Sequence, residues 1–184
     1  MSELRKLQMD ELHRKTVEEC RRADKLPVIV VLDNVRSLHN IGSVFRTSDA
    51  FLIEAVYLCG ISSVPPNPEI HKSALGAEFS VAWKYFDDTR EAVAALRAAS
   101  YAVYAVEQTE NSRNLCSFRV DPAVRYALVF GNEVRGVDQA VVDLCDGSIE
   151  IPQFGTKHSF NVSVSAGIVL WELYRQLAPN VKTS

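Results

Sequence analysis

The sequence predicts an α/β protein, with a mainly parallel sheet carrying helices on both faces. Two observations carry that expectation. From Pro27 onward, short β-branched runs alternate with helical patterns, the order that sandwiches a parallel sheet between helical layers. The first run, VIVVLD (Val28 to Asp33), is apolar without interruption until its final acid. A strand covered on both faces reads that way, whereas one wet face would make it alternate. The 184 residues are 47% hydrophobic and 23% charged, which suits one domain with one buried core.

The elements follow in chain order. Residues 1–26 read as a charged helical extension, amphipathic from Met1 to Lys25, with Leu4, Leu7, Leu12 and Cys20 on one side. Asp10 with Arg14, Glu11 with Lys15 and Glu18 with Arg22 are i,i+4 pairs of favourable order. The basic residues Arg5, Lys6, Arg14, Lys15, Arg21, Arg22 and Lys25 are interleaved with acids. A solvated face is their first reading, and an arm that touches phosphate the second. Residues 27–184 form the main domain. After its first strand come a helix from Ile41 to Phe51 capped by Asn40, a strand from Ala55 to Leu58, and a proline-broken loop from Val64 to Pro68. A helical turn near His71 to Leu75, a strand near Val81 to Tyr85 and an alanine-rich helix from Asp87 to Ala99 continue the alternation. YAVYAV (Tyr101 to Val106) is a strand, and Glu107 to Phe118 a polar loop. Tyr126 to Phe130 and Ser148 to Ile151 are strands joined by a short helix, and the last helix spans Asn161 to Leu177.

Composition narrows the function classes. A net charge of -3 gives no global positive field, so any polyanion must be met by a local patch. Cys20, Cys59, Cys116 and Cys145 are far apart, with neither zinc-ligand spacing nor a disulfide framework, and read as free, mostly buried thiols. No metal site is expected. The N-terminus lacks a signal-peptide core and no apolar stretch is long enough to span a membrane, so the expectation is a soluble cytoplasmic protein.

Three loops carry unusual chemistry, each after a strand, where parallel sheets gather ligands. In the first, NVRSLHNIGSVFRTSDAF, Gly42 is a poor helix residue in the first turn, which suggests a close approach to its backbone. At about 100° per residue, Ile41, Val44, Phe45, Ser48, Phe51 and Leu52 share one helix face, and Arg46 falls on the other. Periodicity alone reads Arg46 as a surface arginine. The second loop is FGNEVRG, Phe130 to Gly136. It has no Lys-Ser or Lys-Thr after it, so the phosphate-cradling pattern fails, and no G-x-G-x-x-G occurs in the chain. The third is IPQFGTKHSFNVSVSAG, where Ser159 or Asn161 can cap the last helix. Ser163, Ala166 and Gly167 form a small-residue stripe there, followed by Trp171 and Tyr174. Packing within one chain and a subunit interface both account for it.

Together the loops resemble the signatures of the SPOUT superfamily in its TrmH (SpoU) branch of RNA 2'-O-methyltransferases. N-x-G-x-x-x-R is present as Asn40, Gly42 and Arg46, and G-N-E-x-x-G as Gly131, Asn132, Glu133 and Gly136. I-P-x-x-G-x-x-x-S-L-N-V-S-V begins at Ile151, with Ser159 and Asn161 matched. Phe160 stands where Leu is usual and Phe154 where Met is common, both keeping an apolar wall. The likeness runs from Val28 to Leu173.

The resemblance implies a C-terminal trefoil knot (a SPOUT α/β-knot), S-adenosyl-L-methionine as methyl donor, and a homodimer with sites at the interface. Gly131, Asn132, Gly136, Ile151, Pro152, Phe154, Phe160 and Asn161 are the implied cofactor contacts, with the loop at Glu107 closing over the adenosine. Arg46, Asn40, Glu133, Ser159 and Asn161 are the implied catalytic group. A guanidinium holds its proton, so Arg46 is expected to position the ribose-phosphate and stabilise negative charge, with a phosphate oxygen or Glu133 taking the proton. RNA contact is expected from Arg36, His39, Arg46, Lys72, Arg113, Arg135 and Lys157, with His71 and His158 nearby. Transfer RNA is the first expectation. Ribosomal RNA, methylation at a base nitrogen, and a non-catalytic RNA-binding factor on the same scaffold are the alternatives.

Overall fold

The computed structural model describes residues 5–8 and 10–178. A short 3-10 turn (Asp10–Leu12) and helix α1 (Val17–Arg22) precede β1 (Leu26–Asp33), α2 (Leu38–Ala50) and β2 (Ile53–Cys59). Then come α3 (Pro68–Ala74), α4 (Ala77–Ser80), β3 (Ala82–Phe86), α5 (Thr89–Ala98), β4 (Tyr101–Val106) and β5 (Arg113–Asn114). The chain continues through β6 (Arg125–Phe130), α6 (Gln139–Val142), β7 (Gly147–Glu150) and α7 (Val162–Leu177).

The seven strands form one sheet in the order β3-β2-β1-β6-β4-β7-β5, and every neighbouring pair is parallel. The centre explains the uninterrupted run in the sequence. Val28, Val30 and Leu32 of β1 face a core shared with α2, α3 and α7. Ile29 and Val31 face a second core with Ala92, Val93 and Leu96 of α5 and Val141 of α6. With both faces covered, alternation would have put polar side chains into one core. In register, Val30 sits between Val56 of β2 and Leu128 of β6.

The N-terminal helix expected from Met1 to Lys25 does not form over the described residues; Leu4 lies outside them. Helix is confined to the six residues of α1. Thr16 starts it with a capping box to Glu19, and His13 just before it has a left-handed φ of 45°. Leu7 and Leu12 are exposed, so no apolar stripe is buried among the described residues upstream of α1, and pattern without packing does not sustain a helix in water. None of the three expected i,i+4 pairs comes within 4.0 Å; Arg5 instead pairs with Glu11 at 2.6 Å. Helix α1 docks where it has partners: Cys20 is buried, and Arg21 Nε donates to the Phe79 carbonyl of α4 at 2.7 Å.

Smaller corrections concern caps and short elements. Helix α2 starts three residues before Ile41, because Ser37 rather than Asn40 caps it; the Ser37 hydroxyl accepts from Asn40 N at 3.2 Å. That leaves the Asn40 side chain for other work. The polar loop after β4 contains β5, and α4 follows α3 after Gly76 turns the chain at φ 94°. Cys20 and Cys59 are buried, Cys145 is half-buried and Cys116 is exposed. No helix among the described residues is long and apolar enough to cross a membrane.

The close approach inferred at Gly42 is real, and its cause is helix packing. A Cβ there would stand 2.1 Å from Ser73 Oγ and 2.3 Å from the Ile70 carbonyl of α3. Gly42→Ala should therefore destabilise the fold by about 1–3 kcal/mol, measured as a lower urea midpoint at unchanged slope. Unchanged stability would mean that the α2–α3 contact opens freely.

Candidate active site

The loops leaving β4, β6 and β7 enclose a crevice of about 430 Å³, within the range of small-molecule sites. Val106, Ile149 and Val162 make its apolar floor, and Glu107, Gln108, Glu133, Arg135 and Ser159 stand among the polar groups of its wall. The 131–137 loop is held closed by itself: Asn132 and Gly136 exchange backbone hydrogen bonds at 3.0 and 2.9 Å. Glu107 braces it from below, accepting from Val137 N at 3.1 Å. Gly136 has no alternative there, since its φ is +69° and a Cβ would meet Glu107 Oε2 at 2.2 Å.

A chain of side-chain hydrogen bonds ties the three motif loops together. Glu133 accepts from the backbone of Arg36 at 3.1 Å and Ser37 at 2.9 Å, and from Asn40 Nδ2 at 3.1 Å. Asn161 Nδ2 donates to Asn40 Oδ1 at 3.1 Å, and Asn161 Oδ1 accepts from Ser163 N at 2.9 Å, capping α7. A carboxylate can only accept, so its position dictates which way both carboxamides point. Asn40 is buried, and each of its amide ends is used.

Two residues that the sequence reading passed over support this arrangement from beneath. Asp33 ends β1 fully buried, and its carboxylate accepts from Asn34 Nδ2 at 2.8 Å, Thr89 Oγ1 at 2.6 Å and Asp138 N at 3.0 Å. Asn34 adds its backbone carbonyl, which accepts from Asn132 Nδ2 at 2.8 Å. The available signal was the acid closing an otherwise apolar strand, which a buried position tolerates only when it is hydrogen-bonded. Gln108 was also missed; it lines the crevice and donates to the His158 carbonyl at 3.0 Å.

The expected site residues divide into groups. Glu107, Asn132, Glu133, Arg135, Gly136, Ile151, Ser159 and Phe160 line the crevice, as does His158. Asn40 and Asn161 stand behind it in the relay, and Gly131 is folded against Gly136 and Val137 of its own loop. Pro152 is adjacent to lining residues without being one. Phe154 is a correction: it is 96% exposed and walls nothing, because the loop around Gly155 projects into solvent. Arg46 is exposed on α2, makes no ion pair within 4.0 Å among the described residues and does not line the crevice. Arg36, His39, Arg113 and Lys157 are exposed around it, Arg113 lying over the Tyr104 ring at 5.6 Å. Lys72 is not brought to the crevice, since it is on α3 paired with Glu69 at 2.7 Å; His71 lies beside it against Phe79. Among the described residues, no cluster of three or more His, Cys, Asp or Glu could hold a metal.

Within the crevice wall, the titration of Glu133 is displaced. Partial burial pushes its carboxyl up, but hydrogen bonds from Arg36, Ser37, its own backbone N–H and Asn40 outweigh that and hold it below the ordinary glutamate value. A depressed folded pKa means stability that is present above the unfolded value of about 4.3 and lost as pH falls through the folded one. The stability gap between wild type and Glu133→Gln should be widest near neutral pH and narrow as pH falls below the ordinary glutamate value, by urea unfolding at each pH. A gap independent of pH would show that the charge is not what the loops use.

Comparison with known proteins agrees with this geometry. Residues 27–171 match the model of the SpoU rRNA Methylase family. A tRNA (guanosine(18)-2'-O)-methyltransferase of Thermus thermophilus is 34% identical over 168 residues, covering 90% of this chain and 84% of that protein. The A. aeolicus TrmH/SpoU tRNA modifying enzyme superposes with a TM-score of 0.77 at 27% identity, over 89% of this chain and 83% of that one. An AdoMet-bound rRNA methyltransferase from Sinorhizobium meliloti superposes with a TM-score of 0.75 at 27% identity, over 85% and 62% respectively. The family signatures are those of the three loops that Glu133, Asn40 and Asn161 join, and the chain belongs to the SpoU methylase family.

Proposed function

We propose that this protein transfers a methyl group from S-adenosyl-L-methionine to a ribose 2'-hydroxyl of RNA, with transfer RNA as the substrate. The observation that carries the reading is that the second and third motif loops line one crevice while Asn40 of the first is hydrogen-bonded to both. The crevice suits the donor chemically. Its floor of Val106, Ile149 and Val162 can take an adenine ring, and Glu107, Gln108 and the backbone around Ile151 offer hydrogen bonds to a nucleoside. When bound, S-adenosyl-L-methionine supplies an electrophilic methyl group on a positively charged sulfur. Similarity to the Thermus thermophilus tRNA methyltransferase over 84% of its length supports transfer RNA. Similarity to the Sinorhizobium meliloti enzyme supports ribosomal RNA as the second reading. The proposal puts the chain in the cytoplasm with its RNA, and its two fully buried thiols suit a reducing compartment.

The protein's own groups have distinct tasks. A guanidinium is a cation in proteins, so Arg46 serves as one: it positions the ribose-phosphate and stabilises the oxyanion that develops at O2'. Glu133 is a poor base, since its oxygens already accept three hydrogen bonds and its pKa is held low. A phosphate oxygen of the RNA is left to receive the proton. Ser159 completes the wall, while Asn40 and Asn161 keep the loops in position.

Two further features belong to the proposal. One is threading of the C-terminus into a trefoil knot. Strand β7 lies between β4 and β5, which are consecutive in the chain, so residues 107–112 bridge across the end of β7. The chain leaving β7 toward α7 then passes that bridge, which supports threading. The other is a homodimer through α7. Ala166 is buried within the chain, but Gly167 faces open space, Val164 is exposed, and Trp171 is 53% exposed in a cluster with Phe51 and Tyr174. Because Arg46 does not line its own crevice, a dimer joined at α2 and α7 would let it serve the crevice of its partner.

Arg46→Ala and Arg46→Lys should both bind S-adenosyl-L-methionine normally in calorimetry and lose turnover by about 100-fold or more, the scale of a removed transition-state contact. Digestion of the product to nucleosides should find the methyl group on ribose; methyl on a base, or full turnover in Arg46→Ala, ends the reading. Trp171→Glu should shift the protein from dimer to monomer in sedimentation, and a wild type that is already monomeric removes the dimer.

A further inference from the structure

Beyond the crevice, at the other end of the sheet, the edge strand β3 carries an aromatic strip. Trp83 and Tyr85 pair in register with Val56 and Leu58 of β2, so they share the sheet face that α3 and α4 cover. They lie beyond the reach of those helices. Trp83 is 36% exposed and Tyr85 44%, and Phe79 of α4 beside them is 49% exposed. Their neighbours on the strand, Lys84 and Phe86, turn to the opposite face, where both meet the Tyr57 ring. Three large rings on one wet strip exceed what a monomer's surface requires.

The charge beside the strip selects what would cover it. Arg21 and Lys25 line one groove with Phe79 and Trp83, and neither makes an ion pair within 4.0 Å among the described residues. Glu54 and Glu78 line the same groove; Glu54 is paired with Arg125 at 2.8 Å, while Glu78 is buried and meets His71 at 2.5 Å through one oxygen, its other oxygen lacking a partner among the described residues, and Glu69 is paired with Lys72 at 2.7 Å. Asp87 borders the Tyr85 end. Arg21 donates to the Phe79 carbonyl at 2.7 Å and Lys25 to Cys20 Sγ at 3.5 Å, which leaves the charge of both without a carboxylate partner. Rings flanked by such cations are the chemistry that binds unpaired nucleic acid, with bases on the rings and phosphates on the cations. Residues two apart on one strand face stand about 7 Å apart, or two stacked-base spacings of about 3.4 Å. A protein strand added to β3 would want apolar pockets and has no use for the cations.

We propose that the Phe79–Trp83–Tyr85 strip, with Arg21 and Lys25 beside it, docks an unpaired RNA strand. This surface is separate from the crevice. Strand β3 is four strand spacings from β4, roughly 19 Å, so it would hold nucleotides flanking the one that is methylated. The proposal rests on the reading of the chain as an RNA enzyme, but its test is binding alone.

The full chain is titrated into a labelled, unpaired oligoribonucleotide of about ten nucleotides and followed by fluorescence anisotropy. Trp83→Ala with Tyr85→Ala should weaken binding at least about tenfold, while Trp83→Phe with Tyr85→Phe keeps it within about threefold. Unchanged S-adenosyl-L-methionine affinity in calorimetry verifies that both double variants are folded. An alanine double variant that binds as tightly as wild type overturns the proposal. So does a wild type that sediments as a larger assembly than the alanine variant without RNA, since the strip would then be a protein contact. Binding that depends on the rings, in a protein that methylates no RNA, supports the strip and sinks the reading of the crevice.

Discussion

The buried carboxamide of Asn40 is the constraint on which the site depends. It has one carboxylate partner and one carboxamide partner, drawn from loops 93 and 121 residues away in sequence. Glu133 is held by the backbone of Arg36 and Ser37 just ahead of α2, and Asn161 caps α7, so two helix termini and a loop are joined through one side chain. Removing any member leaves a buried polar group without its partner, at about 1–3 kcal/mol each. Loops that would otherwise move separately are therefore coupled, and the crevice between them keeps its shape.

The sheet supplies the base for that coupling. All seven strands run parallel, so their C-terminal ends deliver several loops to one edge, and the buried strand β1 carries Asp33 to that edge. Its carboxylate spans α5, Asn34 and the start of α6, and Asn34 in turn holds Asn132. The 131–137 loop is thus fastened at Asn132, at Val137 by Glu107 and at Asp138 by Asp33, while Glu133 and Arg135 remain at its exposed tip. A loop pinned at its base and exposed at its tip can present functional groups with little disorder to remove on binding.

Much of this was legible in the sequence because local physics fixes it. A strand covered on both faces needs an unbroken apolar run, and VIVVLD and YAVYAV have one; both strands lie within a residue or two of their expected bounds. The last helix starts where expected because Asn161 caps it, and it runs on to Leu177 with no proline inside it. The motif loops were recognisable because each follows a strand. Less of the site was readable. Asn40 looked like a cap, since a cap and a relay residue are both polar side chains at a helix start, and only the rival cap Ser37 separates them. Phe154 looked like a wall, since nothing local distinguishes an apolar residue that faces a cavity from one left in water.

The amino-acid order by itself determined every strand but β5, most of the helices, the three motif loops and the family, since each is written in short-range periodicity and spacing. Tertiary structure alone decided which polar side chains meet, because hydrogen bonds such as Asn40 to Asn161 depend on distance in space and leave no periodic trace. It also decided that the N-terminal pattern would not become one long helix, because helical propensity needs a surface to pack on and only α1 has one.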